Sequence, residues 1–78
     1  MMVKPIREAH FLEDHIVEVI SGNGTVIRLN MEPYLSTIRF GLLRDPEVWQ
    51  AGTTDGISIR WPGVAELSYE EIMQRAFW

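Results

Sequence analysis

Seventy-eight residues leave room for one domain with one thin core, because a chain of this size buries only about 60–65% of its unfolded surface. With 46% hydrophobic residues and no cysteine, the composition is that of a folding globular chain and excludes both disorder and a disulfide scaffold. Eleven acids against seven bases give a net charge of −4, which disfavours phosphate backbones and anionic membranes, since both select accumulated positive charge.

Residues 6–12 (IREAHFL) and 16–20 (IVEVI) are β-branched or aromatic-rich runs separated by Glu13, Asp14 and His15, the pattern of strand, tight connection and strand. Ser21-Gly22-Asn23-Gly24 contains an Asn-Gly pair that tolerates two successive positive φ angles, as a type I′ hairpin requires, with residues 25–29 as the return strand. A three-stranded antiparallel meander over 6–29 is the expected first half. In 31–38, Pro33 opens a helical turn, and Tyr34, Leu35 and Ile38 form a small apolar face. Phe40, Leu42 and Leu43 make an apolar cluster, after which Asp45 caps and Pro46 begins another brief helical turn.

Residues 48–54 and 57–61 flank Asp55-Gly56 as a second hairpin, with Ile57, Ile59 and Trp61 alternating against Ser58 and Arg60. Trp61-Pro62-Gly63 ends it. Ser68-Tyr69-Glu70-Glu71 is a capping box, so a helix begins at about Tyr69. Ile72, Met73, Ala76 and Phe77 share its apolar face, and Glu70, Gln74 and Arg75 face water. The fold class is therefore α+β: a small antiparallel sheet from a meander and a second hairpin, short helical turns between, and a C-terminal helix, all in one domain over 1–78.

The chemistry-bearing residues have structural explanations. His10, Glu13, Asp14 and His15 are the one cluster to test for metal. Histidines five apart lie about 140° apart around a helix, and the spacing matches no zinc-hydrolase motif. Across a hairpin turn they could approach, which keeps His10 and His15 as the weak metal candidates. The four serines lie in turns, a cap or a strand without an elbow motif, and no general acid/base pair stands out, so no catalytic residue and no cofactor are assigned. Gly22 and Gly24 lead into a strand where a phosphate loop would lead into a helix. Arg60 and Trp61 on a strand evoke a stacking surface for RNA, without the aromatic motif or the net charge such a sheet needs. Phe77 and Trp78 end the chain with two large aromatics, which serve either the helix docking on its own sheet or a contact with a subunit or partner. The first ten residues lack a signal-peptide apolar run, and no stretch approaches a membrane span, so the expected setting is cytoplasmic.

The run Phe40-Gly41-Leu42-Leu43-Arg44-Asp45-Pro46-Glu47-Val48-Trp49, then Ile57-Ser58-Ile59-Arg60-Trp61-Pro62-Gly63 and Glu66-Leu67-Ser68, resembles the small bacterial family catalogued as domain of unknown function 2442. In that family a Leu-x-Asp-Pro-x-x-aromatic stretch precedes Ile-x-Trp-Pro and an acidic-Leu-Ser helix start. Asn23-Gly24 and Pro33-Tyr34-Leu35 also fit, so the resemblance covers roughly residues 5–75. It implies a compact α+β fold with no established activity and no catalytic residue to carry over. Some members carry an added helix-turn-helix domain, and many are encoded beside another small protein, which has prompted a toxin–antitoxin suggestion. This sequence ends before such a DNA-binding domain would begin.

The leading expectation is a non-enzymatic protein-interaction module, homo-oligomeric or itself the antitoxin-like partner of a small protein encoded beside it, with Phe77, Trp78, Arg60 and Trp61 as interaction candidates. A core this small supplies only about 3–5 kcal/mol unaided, so a partner subunit would help it. The alternative is a nucleic-acid accessory protein using Arg28, Arg39, Arg44 and Arg60. A third is a small-ligand or metal-dependent enzyme built around His10 or His15. No membrane partner is expected.

Overall fold

The computed structural model describes residues 4–76. Two antiparallel three-stranded sheets carry the α+β fold expected from the sequence. In the first, β1 (Ile6–Leu12) pairs with β2 (Ile16–Ser21), and β2 with β3 (Val26–Asn30). The register of β1 slips between Ile6 and Glu8. Such an irregularity turns consecutive residues to one face, and it lets Ile6 point inward along with Ala9 and Phe11 despite their odd spacing. Val17, Val19, Ile27 and Leu29 complete the inner face.

The two successive positive φ angles occur at a different connection from the expected one. At Ser21–Thr25, Gly24 alone is left-handed, at φ 89°. The turn is closed by Asn23, whose Oδ1 accepts from the Thr25 amide at 3.0 Å and from the Ser21 hydroxyl. The return strand accordingly starts at Val26. Between β1 and β2, by contrast, Asp14 and His15 have φ of 62° and 58°. Left-handed backbone costs a non-glycine residue about 1–3 kcal/mol, although Asp and His are among the types that tolerate it best.

After β3 the chain runs through 3-10 turns at Glu32–Tyr34 and Gly41–Arg44 into a short helix, α1 (Pro46–Gln50). Asp45 caps α1 by accepting from the Glu47 amide at 2.9 Å. This helix takes up the first three residues of the expected strand 48–54, and β4 is left with only Thr53–Thr54. The Asp-Pro start outcompetes the strand pattern because cap and fixed φ are both local. Pro62-Gly63 turns the chain and does not end the sheet. Val64 N donates to Trp61 O, Gly63 has φ 75°, and β6 (Ala65–Ser68) returns along β5 (Ser58–Trp61). The capping box is present: Ser68 Oγ accepts from Glu71 N at 3.2 Å and Glu71 Oε1 from Ser68 N at 3.4 Å. It opens α2 (Tyr69–Ala76), whose Ile72 is fully buried.

Trp49 and Trp61 stack at 5.6 Å, and Phe11 meets both edge-on at 5.7 and 5.4 Å. The indole donors are satisfied, Trp61 by Trp49 O and Trp49 by Leu12 O, as buried tryptophan requires. Two inner faces thus share one core, and Ile6 N donates to Gly56 O where β1 passes the second sheet. No helix among the described residues is long and apolar enough to cross a membrane.

Gly52 lies against this cluster. A Cβ there would meet the Phe11 ring at 2.5 Å and Trp61 Nε1 at 2.8 Å. Gly52→Ala is expected to lower the unfolding free energy by about 1–3 kcal/mol through overpacking. An unchanged midpoint in urea titration would contradict this packing.

Candidate interaction surface

The segment between β3 and α1 has almost no regular structure, yet it is pinned throughout. Met31, Leu35, Phe40 and Leu43 are buried pegs. Between them, turns close through Thr37 N to Tyr34 O, Leu43 N to Phe40 O and Asp45 N to Leu42 O. The Thr37 hydroxyl adds a bond to Tyr34 O and accepts from Phe40 N.

Two side chains from outside the backbone pattern lock this strap. Arg39 donates to both carboxylate oxygens of Glu71, at 2.9 and 3.3 Å, and to Glu66 O at 2.6 Å. Its guanidinium lies 4.8 Å from the Phe40 ring centre. Planar bidentate pairing suits Arg to this clamp. From the opposite side, His15 Nε2 donates to Leu43 O at 3.0 Å, because a carbonyl can only accept. His15 Nδ1 faces Glu32 Oε2 at 3.4 Å, its backbone oxygen accepts from Met31 N, and its ring meets Trp49 edge-on at 5.0 Å. The left-handed backbone at Asp14 and His15 is what aims the imidazole at the strap.

With its pegs buried, the strap holds two aliphatic side chains outward. Ile38 is fully exposed and Leu42 is 65% exposed. Both were expected inside. The helical periodicity that would have grouped Ile38 with Tyr34 and Leu35 is broken by the 3-10 turns. Burying a side chain of this size is worth about 1.5–3 kcal/mol, stability that a small core forfeits by leaving both in water. Arg44, two residues beyond Leu42, has no acidic partner among the described residues. Asp45 N bonded to Leu42 O closes the turn that leads into Pro46. Pro46 walls a mainly apolar cleft of about 220 Å³ with Leu12, Glu13, Asp14, His15, Trp49 and Gln50.

The other candidate residues are dispersed. His10 pairs across the ladder with Glu18 on the outer face of the first sheet, with Nε2 3.9 Å from Glu8, while His15 turns inward to the strap. No group of three metal-ligating side chains is assembled among the described residues. Trp61 is 1% exposed and belongs to the core. Arg60 bonds Asp55 and lies 3.9 Å from Glu66. Of the four arginines considered for nucleic acid, Arg28 pairs with Glu18, Arg39 with Glu71 and Arg60 with Asp55, which leaves Arg44. Arg75, expected to face water, instead stacks 4.5 Å over Tyr34. Phe77 and Trp78 lie outside the described residues. The strap surface was missed because an exposed Ile or Leu in a loop looks like a core residue in sequence. No local sequence signal marks these side chains as exposed.

Compared with protein-family models, curated proteins and solved structures, the chain gives no significant match.

The clamp has a pH signature. The Arg39 guanidinium holds the Glu71 carboxyl below its usual range, with the Ser68 amide and Arg75 contributing and partial burial opposing. Asp55 is likewise lowered, first by the amides of Ile57 and Ser58. A carboxylate with a depressed folded-state pKa stabilises the fold above its unfolded pKa, and that contribution is lost as pH falls through the folded value. The melting temperature is therefore expected to fall as pH drops from about 4.5. Glu71→Gln, which preserves the capping box, should flatten that slope in thermal melts, and an unaltered slope would deny the clamp its role.

Proposed function

We propose that this chain is a non-enzymatic protein-interaction module whose contact surface is the strap bearing Ile38 and Leu42. The observation that supports the reading is that two aliphatic side chains are exposed on backbone anchored at both ends. A loose loop would fold such side chains against the surface. A clamped one presents them in fixed positions and so saves the ordering entropy that binding otherwise costs. Exposed apolar groups with a polar surround are what interfaces use.

The same reading extends the resemblance to domain of unknown function 2442, including pairing with a small neighbouring protein in the toxin–antitoxin manner. The acidic surface would then speed encounter with a basic partner. The ion pairs already made by Arg28, Arg39 and Arg60 count against the nucleic-acid reading, since phosphate binding relies on free positive charge.

The test is retrieval of the tagged chain from its host's lysate at mild salt, read by native mass spectrometry. The wild type should carry a stoichiometric companion, another protein or a second copy. Ile38→Glu combined with Leu42→Glu should lose it while melting at an unchanged temperature. A wild type recovered only as monomer, or a companion indifferent to both substitutions, would remove the proposal.

A further inference from the structure

Resting on the reading of the strap as a contact surface, we infer that its partner is a second copy of this chain, docked about a two-fold axis. The patch contains both halves of a contact. One half is a knob, Leu42, exposed and followed by Arg44, a cation without an acidic partner among the described residues. The other half is the cleft of about 220 Å³ walled by Leu12, Pro46 and Trp49. Its rim carries Glu13 and Asp14, both exposed and both without a basic partner among the described residues. Knob and cleft adjoin through His15, which lines the cleft and donates to the carbonyl of Leu43, the residue after Leu42.

A surface that carries a knob beside its own complementary hole satisfies the rule of an isologous dimer, in which residue i meets j and j meets i. Leu42 of one copy enters the cleft of the other. Arg44 then faces the Glu13 and Asp14 of the second copy, and the same contact recurs across the axis. Each docking event removes two aliphatic knobs from water and pairs two cations with two acidic rims. Apolar burial supplies the affinity, and the charges set the register. The net charge of −4 on each copy opposes approach only at long range, where salt screens it over about 8–10 Å.

A charge-swap experiment on the purified full chain tests this. Arg44→Glu places like charges in both contacts of its own homodimer. So does Glu13→Arg made together with Asp14→Asn, Asn being chosen because it tolerates the left-handed backbone at position 14. By sedimentation equilibrium the wild type should be dimeric, and each variant alone should dissociate at least about tenfold more readily. An equimolar mixture of the two should regain a dimer that native mass spectrometry finds to hold one copy of each, because every contact is then again between opposite charges. Leu42→Glu should be monomeric, with a circular dichroism spectrum like the wild type. A monomeric wild type, a dimer indifferent to these substitutions, or a mixture that fails to regain a dimer would overturn the inference. A monomeric wild type that still captures a different protein through Ile38 and Leu42 would overturn self-association and leave the interaction module standing.

Discussion

The structure depends on how a segment without regular secondary structure is held against two small sheets. Residues 31–45 span the gap between β3 and α1, and two side chains fasten them: Arg39 to Glu71 and Glu66 on one side, His15 to Leu43 and Glu32 on the other. Each fastener ties three parts of the chain together. Glu71 both caps α2 and accepts from Arg39, so the start of the helix and the middle of the strap are one electrostatic unit. His15 can reach the strap only because the β1–β2 connection takes up the unfavourable left-handed backbone. The local cost of that turn is offset by a backbone bond, a ring bond and an aromatic edge contact at Trp49.

The aromatic cluster explains why so short a chain can hold this arrangement. Phe11, Trp49 and Trp61 come from β1, α1 and β5, and rings of this size each bury about 150–250 Å². Their polar atoms bond to backbone carbonyls, so they add area without leaving a donor unsatisfied. Gly52 sits against them because any side chain would occupy space the rings fill. Most of the chemistry-bearing groups are consumed in this construction. Ser68 caps, Asp45 caps, Asp55 organises the turn before β5, and Arg28, Arg39, Arg60 and Arg75 are paired. Among the groups left without an internal partner, Ile38, Leu42, Arg44, Glu13 and Asp14 lie on the strap and the neighbouring hairpin turn.

Elements whose signals are local were readable in the sequence. The Ser68–Glu71 box, the Asp45-Pro46 start and the alternating Ile57–Trp61 strand each need only a few neighbouring residues to declare themselves. Long-range competition defeated the rest. Val48, Trp49 and Gln50 have strand character but are captured by the preceding cap. Ala65–Ser68 became a strand because Gly63 could turn the chain back onto β5. Asn23 took an Asx turn where an Asn-Gly hairpin was expected, and the positive φ angles moved to Asp14 and His15, where a tertiary bond rewards them. The proposed contact surface was the least legible. Ile38 and Leu42 carry no mark of exposure, and the fasteners that hold them out join residues 28 and 32 positions apart in sequence.

The account stands on the strap being rigid while its aliphatic side chains are in water. Amide hydrogen exchange followed by nuclear magnetic resonance tests that directly, since exchange reads local opening residue by residue. The amides of Thr37, Leu43 and Asp45 should exchange at rates comparable to those of β2 and β5, and Arg39→Met should speed those of the strap while sparing β2. Strap amides that exchange as fast as an unfolded peptide in the wild type would contradict the account, for Ile38 and Leu42 would then belong to a loose loop with no fixed surface to offer.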